Sequence, residues 1–507
     1  MFRSPTRREF LQSAAWSGVA VAAGEWSFLG RLPAVSAQEA RQPLPRVAFD
    51  RSIEPLVQLI EHTPRERLLE DVAQAIRRGA SYREVLAALL LAGVRNVQPR
   101  PAVGFKFHCV LVVNACYLAS VNGPDADRWL PLFWALDYFK TAQADEASKS
   151  GWRMPAVNER LVPDAQHARD LFIEAMERWD VEQADAATAG LVRTTPATEV
   201  FQLFARYAAR DFRAIGHKAI FLANAWRTLQ VIGWEFAEPV LRSLAFALQN
   251  HEGDPVPARN DLPADRSWRE NEALAARLPA GWLDGRVEAQ AARSLCATLH
   301  AATPSEAAAA AAQLLAEGVG AASVWDGVFL SAGETLMRQP GIVGLHGLTT
   351  ANALHYLWQH VGPDDLRRRL LLQACSFAAS FREAAQRRGP LQPLTIDSVP
   401  AEPDPRVALD DVFAAVSRNR LEAAVKLRSY LAAGGSPLAA IDQARRLIFV
   451  KGRDSHDYKF SSAVLEDYSH VTPHWRDQFL ALSVFNLKGS GDRDNGLVAR
   501  TRAALES

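Results

Sequence analysis

The chain has 507 residues, 49% hydrophobic and 22% charged, with Lys plus Arg and Asp plus Glu balanced at 57 each. That composition suits a folded protein with a substantial core. Zero net charge argues against a nucleic-acid or anionic-membrane surface, and four cysteines in so long a chain are not a disulfide framework.

The chain opens with Ser4-Pro5-Thr6-Arg7-Arg8-Glu9-Phe10-Leu11-Gln12, followed by a mildly apolar stretch from Ala14 to Ala23 and a small-residue site at Val35-Ser36-Ala37. This is the layout of a twin-arginine signal cut after Ala37. The other reading is an ordinary basic N-terminus before an amphipathic helix. The signal implies the Tat translocase as a partner during export, and a periplasmic or extracellular location. Left uncleaved, it would serve as a membrane anchor. No later segment offers the roughly 20 uncharged apolar residues that a spanning helix needs. Tat substrates cross already folded, often because a cofactor or metal is inserted first, which inclines the reading toward a cofactor-bearing enzyme.

Residues 38–507 read as all-α. Thr63-Pro64-Arg65-Glu66 has the form of a helix cap, with Leu68, Leu69, Val72, Ala75 and Ile76 following at helical spacing. Ser81-Tyr82-Arg83-Glu84 and Thr303-Pro304-Ser305-Glu306 repeat the capping pattern. Alternating strand patterns and hairpin turn signals are missing. Three segments read as loops: 151–164, 252–265 and the proline-rich 389–405, the last being either a domain break or a loop wrapping one helical body. Cys109, Cys116, Cys296 and Cys375 all lie in apolar segments and read as buried free thiols.

The chemistry concentrates in histidine. His108 in Phe107-His108-Cys109-Val110, His217 in Gly216-His217-Lys218-Ala219, His346 in Leu345-His346-Gly347-Leu348 and His456 in Asp454-Ser455-His456-Asp457 each sit beside glycine or a small residue. Each falls in a different expected helix. Any one of them alone would be an ordinary hydrogen-bonded core histidine. Four in separate helices allow a shared metal site in a bundle core, because neutral imidazole is a common ligand for iron, zinc and copper. His346 and Thr350 share a helix face, so the hydroxyl is a candidate for orienting the imidazole; a polar stripe between helices is the plainer alternative. His355, nine residues after His346, points elsewhere. Lys459 lies three residues after His456 and on its face. It is a candidate for binding an anionic substrate, or for carboxylation into an oxygen ligand; the plainer alternative pairs it with Glu466 at the surface. His300, His360, His470 and His474 read as surface residues. No His-Glu-x-x-His, Cys-x-x-Cys, phosphate loop or Gly-x-Ser-x-Gly occurs.

At these four histidine segments the chain resembles the questin oxidase family. The likeness lies in Phe107-His108, in Gly216-His217-Lys218-Ala219-Ile220, in Leu345-His346-Gly347-Leu348-Thr349 with Ala353-Leu354, and in His456-Asp457-Tyr458-Lys459. It implies an all-helical oxidoreductase or oxygenase holding a non-haem iron, and a small organic substrate, aromatic in that family. By that carry-over His108, His217, His346 and His456 are the metal ligands, with Lys459 and Thr350 as catalytic candidates.

Two readings of other classes stay open on the residues. One is a helical-toroid polysaccharide hydrolase or lyase, drawing on Trp226, Trp234, Glu235, Tyr458 and His456. The other is a non-catalytic helical scaffold, in which the four histidines would lie apart.

Overall fold

The computed structural model describes residues 52–99, 107–249 and 253–506, so the amino-terminal signal lies outside the described residues. Among the described residues the architecture is all-α; its one β-type contact is an isolated bridge between Arg286 and Val319. Local chemistry sets several helix starts. At Ser81 the hydroxyl accepts the Glu84 amide while the Glu84 carboxylate accepts the Ser81 amide at 2.8 Å. Thr303 and Glu306 form the same reciprocal pair. Such a cap is worth about 1 kcal/mol.

The expected cap at Thr63 does not form. Its amide bonds the Leu59 carbonyl at 3.0 Å and closes the preceding helix, while the next helix, Arg65–Arg77, starts after Pro64 with no side-chain cap. The 252–265 loop is shorter than expected, since Pro263 opens a helix. Segment 389–405 lies along the Ala321–Arg338 helix. The Gln392 amide bonds the Arg338 carbonyl, the Ile396 amide bonds the Glu334 carboxylate, and the Gln478 amide group bonds the Ile396 carbonyl. One apolar core runs from Ile53 to Ala504, on both sides of that segment. The four cysteines are buried and free.

At the centre stand four helices: His108–Asn122, His217–Ile232, Ile342–His360 and Ser455–His470. Each packs against the next, and the last returns to the first, closing a ring. They run parallel, as side-chain bonds on successive turns establish. His217 meets His346, and farther along Arg227 meets Asn352 and Gln230 meets Tyr356. His108 meets Ser455, and farther along Ala115 meets Ser462. Asn224 bonds the Leu111 carbonyl, which sets the His217 helix in the same direction as the His108 helix. Parallel neighbours cannot be joined by short turns, so the chain between successive members is spent on peripheral helices that return it to the same end. The Ile342–His360 helix is buried from Val343 to Leu357, which is why its sequence is apolar on every side.

Candidate metal centre

The parallel arrangement gathers four helix starts in one place, and each carries a histidine. His108 and His217 are the first residues of their helices, His456 is the second and His346 the fifth. The four rings converge. His217 Nε2 lies 2.9 Å from His108 Nε2 and 3.0 Å from His346 Nε2. The His456 ring centroid is 4.4 Å from that of His108 and 5.1 Å from that of His346.

The outward nitrogens fix the protonation. His217 Nδ1 lies 2.6 Å from the Ala214 carbonyl and His346 Nδ1 lies 2.7 Å from the Ile342 carbonyl. A carbonyl only accepts, so both Nδ1 atoms carry the proton and both Nε2 atoms present lone pairs. His456 Nδ1 donates to the Asp454 carboxylate at 2.6 Å, and its Nε2 is buried without a hydrogen-bond partner. His108 Nδ1 is 2.8 Å from the Ser455 hydroxyl, which Tyr138 also bonds. Burial, with Lys459 and the neighbouring rings, holds His108 and His346 well below the usual imidazole range, so both are neutral. His217 Nε2 and His346 Nε2 thus face one another at hydrogen-bond distance while both Nδ1 atoms donate to carbonyls on the far side.

A cation among them would take up lone pairs turned inward. The outward Nδ1 bonds to carbonyl, carboxylate and hydroxyl are the supporting contacts that orient metal-bound histidines.

The turn before His217 is strained. Ala214 and Ile215 have φ of +51° and +44°, and Gly216 follows at +80°. A β-branched residue in the left-handed region is a rare outlier, costing on the order of 1–3 kcal/mol. The turn aims the Ala214 carbonyl at His217 Nδ1. Buried ion pairs hold its flanks: Arg213 forks onto Asp265 at 2.6 and 2.8 Å, and Lys218 reaches Asp211 at 2.7 Å. Lys218 thus points away from the histidines. Gly216 lies against Thr350, where any Cβ would collide with the threonine hydroxyl.

Of the two catalytic candidates, Lys459 belongs to the cluster. It is buried, its Nζ is 3.5 Å from His108 Nε2, and burial lowers its ammonium to about 7. Glu466 pairs instead with Arg227 at 2.7 Å. Thr350 does not orient His346, because the Ile342 carbonyl takes that role. The Thr350 hydroxyl is buried and unpartnered, on the wall of a small apolar hollow shared with Val328, Gly347, Leu354 and Phe381. The residues considered for a sugar cleft are packing anchors: Trp226 packs on Phe201 and Trp234, and Tyr458 packs on Trp134. Glu235 pairs with Arg83.

Sequence reasoning missed Tyr138, Ser455, Asp454 and the strained turn. Asp454 carried a signal, being a helix-capping type two residues before His456; its carboxylate accepts both the His456 amide and the ring. Two further groups bring ligand atoms within 4.8 Å of one another: Cys296 with His300 and Glu334, and His355 with Asp467 and His470. His300 and His470, expected at the surface, have side chains only 7% and 12% exposed. His360 and His474 are exposed as expected.

The chain matches no family model, no curated protein and no solved structure.

No helix among the described residues is long and apolar enough to cross a membrane.

Proposed function

We propose that the chain is an exported, metal-dependent oxidoreductase of the questin oxidase type. His108, His217, His346 and His456 would hold one divalent ion, iron by the resemblance, and the substrate would be a small organic, aromatic compound. One observation supports the metal reading: four imidazoles converge in the bundle core while their Nδ1 atoms are tied to oxygen outside. The iron and the substrate class rest on the motif resemblance, and the export route on the twin-arginine segment.

When bound, the ion would supply electrophilic and redox chemistry at a site walled from water. The chain's own residues do the rest. Asp454 makes His456 more electron-rich by taking its Nδ1 proton into a strong bond. The four helix starts direct partial positive charge at the centre, which favours an anionic ligand beside the ion. Lys459 Nζ is partly uncharged near neutral pH, as both proton transfer and carboxylation at that atom require.

Metal analysis of the protein purified after native export tests the reading. Replacing His346 by alanine is expected to remove one equivalent of metal while far-UV dichroism is unchanged. A wild-type protein free of metal would refute it.

A further inference from the structure

Farther along the same bundle, the Ile342–His360 and Ser455–His470 helices bring together a second set of metal-ligating groups. His355 lies nine residues beyond His346, or about 13 Å along the axis. It faces Asp467 and His470, one turn apart on the neighbouring helix. One ligand atom from each of the three lies within 4.8 Å of the others. The His355 and His470 ring centroids are 4.6 Å apart.

The satisfaction of these groups is what points to a ligand. The Asp467 side chain is fully buried. Its Oδ1 accepts from the Asn352 amide at 2.8 Å and lies 3.4 Å from His470 Nδ1, while its Oδ2 has no partner at all. His355 is 5% exposed, and its Nδ1 is buried without a partner. A buried carboxylate oxygen and a buried ring nitrogen left bare, close together, are costly unless something between them accepts both. Trp325 and Phe329 meet the His355 ring edge-on and Trp358 stacks on it.

We propose that His355, Asp467 and His470 form a second metal site, of the two-histidine, one-carboxylate kind that takes divalent first-row ions and leaves coordination positions open. Asn352 orients it by fixing Oδ1. The same asparagine bonds Glu466, and Glu466 in turn bonds Arg227, so a polar chain links the second site to the His217 helix. The two sites share two helices but no ligand, so each stands or falls alone.

The test is cobalt(II) titration of the chelator-stripped full chain, followed by calorimetry and by visible absorption. The wild type is expected to bind two equivalents, Asp467→Asn one, and His346→Ala one. Asparagine at 467 removes a bare buried charge, so this variant should fold. Its metal-free thermal midpoint should match or exceed the wild type's while its gain on adding cobalt falls. His470→Gln provides a second variant with the same expected loss of one equivalent. A single equivalent lost in His346→Ala but kept in Asp467→Asn would overturn the second site and leave the first. Equal binding by wild type, Asp467→Asn and His470→Gln would also overturn it.

Discussion

His217 Nε2 lies 3.0 Å from His346 Nε2, yet each ring has already committed its proton to a carbonyl on the far side. Two lone pairs at that distance repel unless a cation or an added proton stands between them. Chelation should therefore destabilise the protein. With free metal about a thousand times above its dissociation constant, binding contributes roughly 4 kcal/mol. The thermal midpoint is expected to fall by several degrees on chelator treatment and to recover when iron(II) is added back. An unchanged midpoint would mean that the cluster is satisfied without a cation.

Asp454 acts on the centre through His456. Asp454→Asn keeps the shape and some helix-capping capacity but weakens the 2.6 Å bond to Nδ1. Metal affinity is expected to drop about 10- to 100-fold, the usual effect of losing such a supporting carboxylate. Competition with a chelator of known affinity measures it. Asp454→Ala should lose as much affinity and also about 1 kcal/mol of stability from the cap.

Gly216→Ala meets two obstacles. Its backbone is left-handed, and its Cβ would strike Thr350. The left-handed conformation alone costs about 1–2 kcal/mol for a residue with a side chain. Chemical denaturation should give a larger total loss than that. Adding Thr350→Ala should recover the part due to the collision and leave the backbone part. If Thr350→Ala recovers nothing, the two residues do not touch in solution.

His300 gives the fold an acid sensitivity. Burial, assisted by Arg338 and Arg382, lowers its imidazole from the ordinary value of about 6.5 to about 3. As pH falls below about 6.5 the unfolded chain takes up the proton and the folded chain does not. Stability is therefore lost progressively down to about pH 3 and is unaffected by this group above 6.5. At pH 5 the loss from this residue is about 2 kcal/mol, at 1.4 kcal/mol for each unit of pH. His300→Asn should flatten the stability profile over that window, read from urea midpoints between pH 7 and 4. A steeper profile in the variant would contradict the assignment.

The helical class and the four histidine segments were legible because they depend on local signals. Capping at Ser81 and Thr303 is written within four residues, and histidine beside glycine in an apolar run is visible at sight. The rest was set by distant partners. His355 is out of phase with His346 on its helix, and only the fold brings it beside Asp467 and His470. His470 looked exposed because nothing near it in sequence shows that Asp467 and His355 enclose it. Lys218 follows His217 in sequence, yet the packing pairs it with Asp211. No local preference foretells Ile215 in the left-handed region; the ion pairs of Arg213 and Lys218 on either side impose it. The direction of the four central helices is likewise invisible in their sequences, since a helix reads the same whichever way its neighbour runs.

That shared direction governs when the centre can exist. Its contacts join residues 109, 129 and 347 positions apart, so no short contiguous fragment of the chain contains it. Loops that long close late in folding. A nascent chain truncated before the Ser455–His470 helix lacks His456, Lys459 and the hydroxyl that holds His108. Metal capture at this centre would thus require that the chain be made and folded through Lys459.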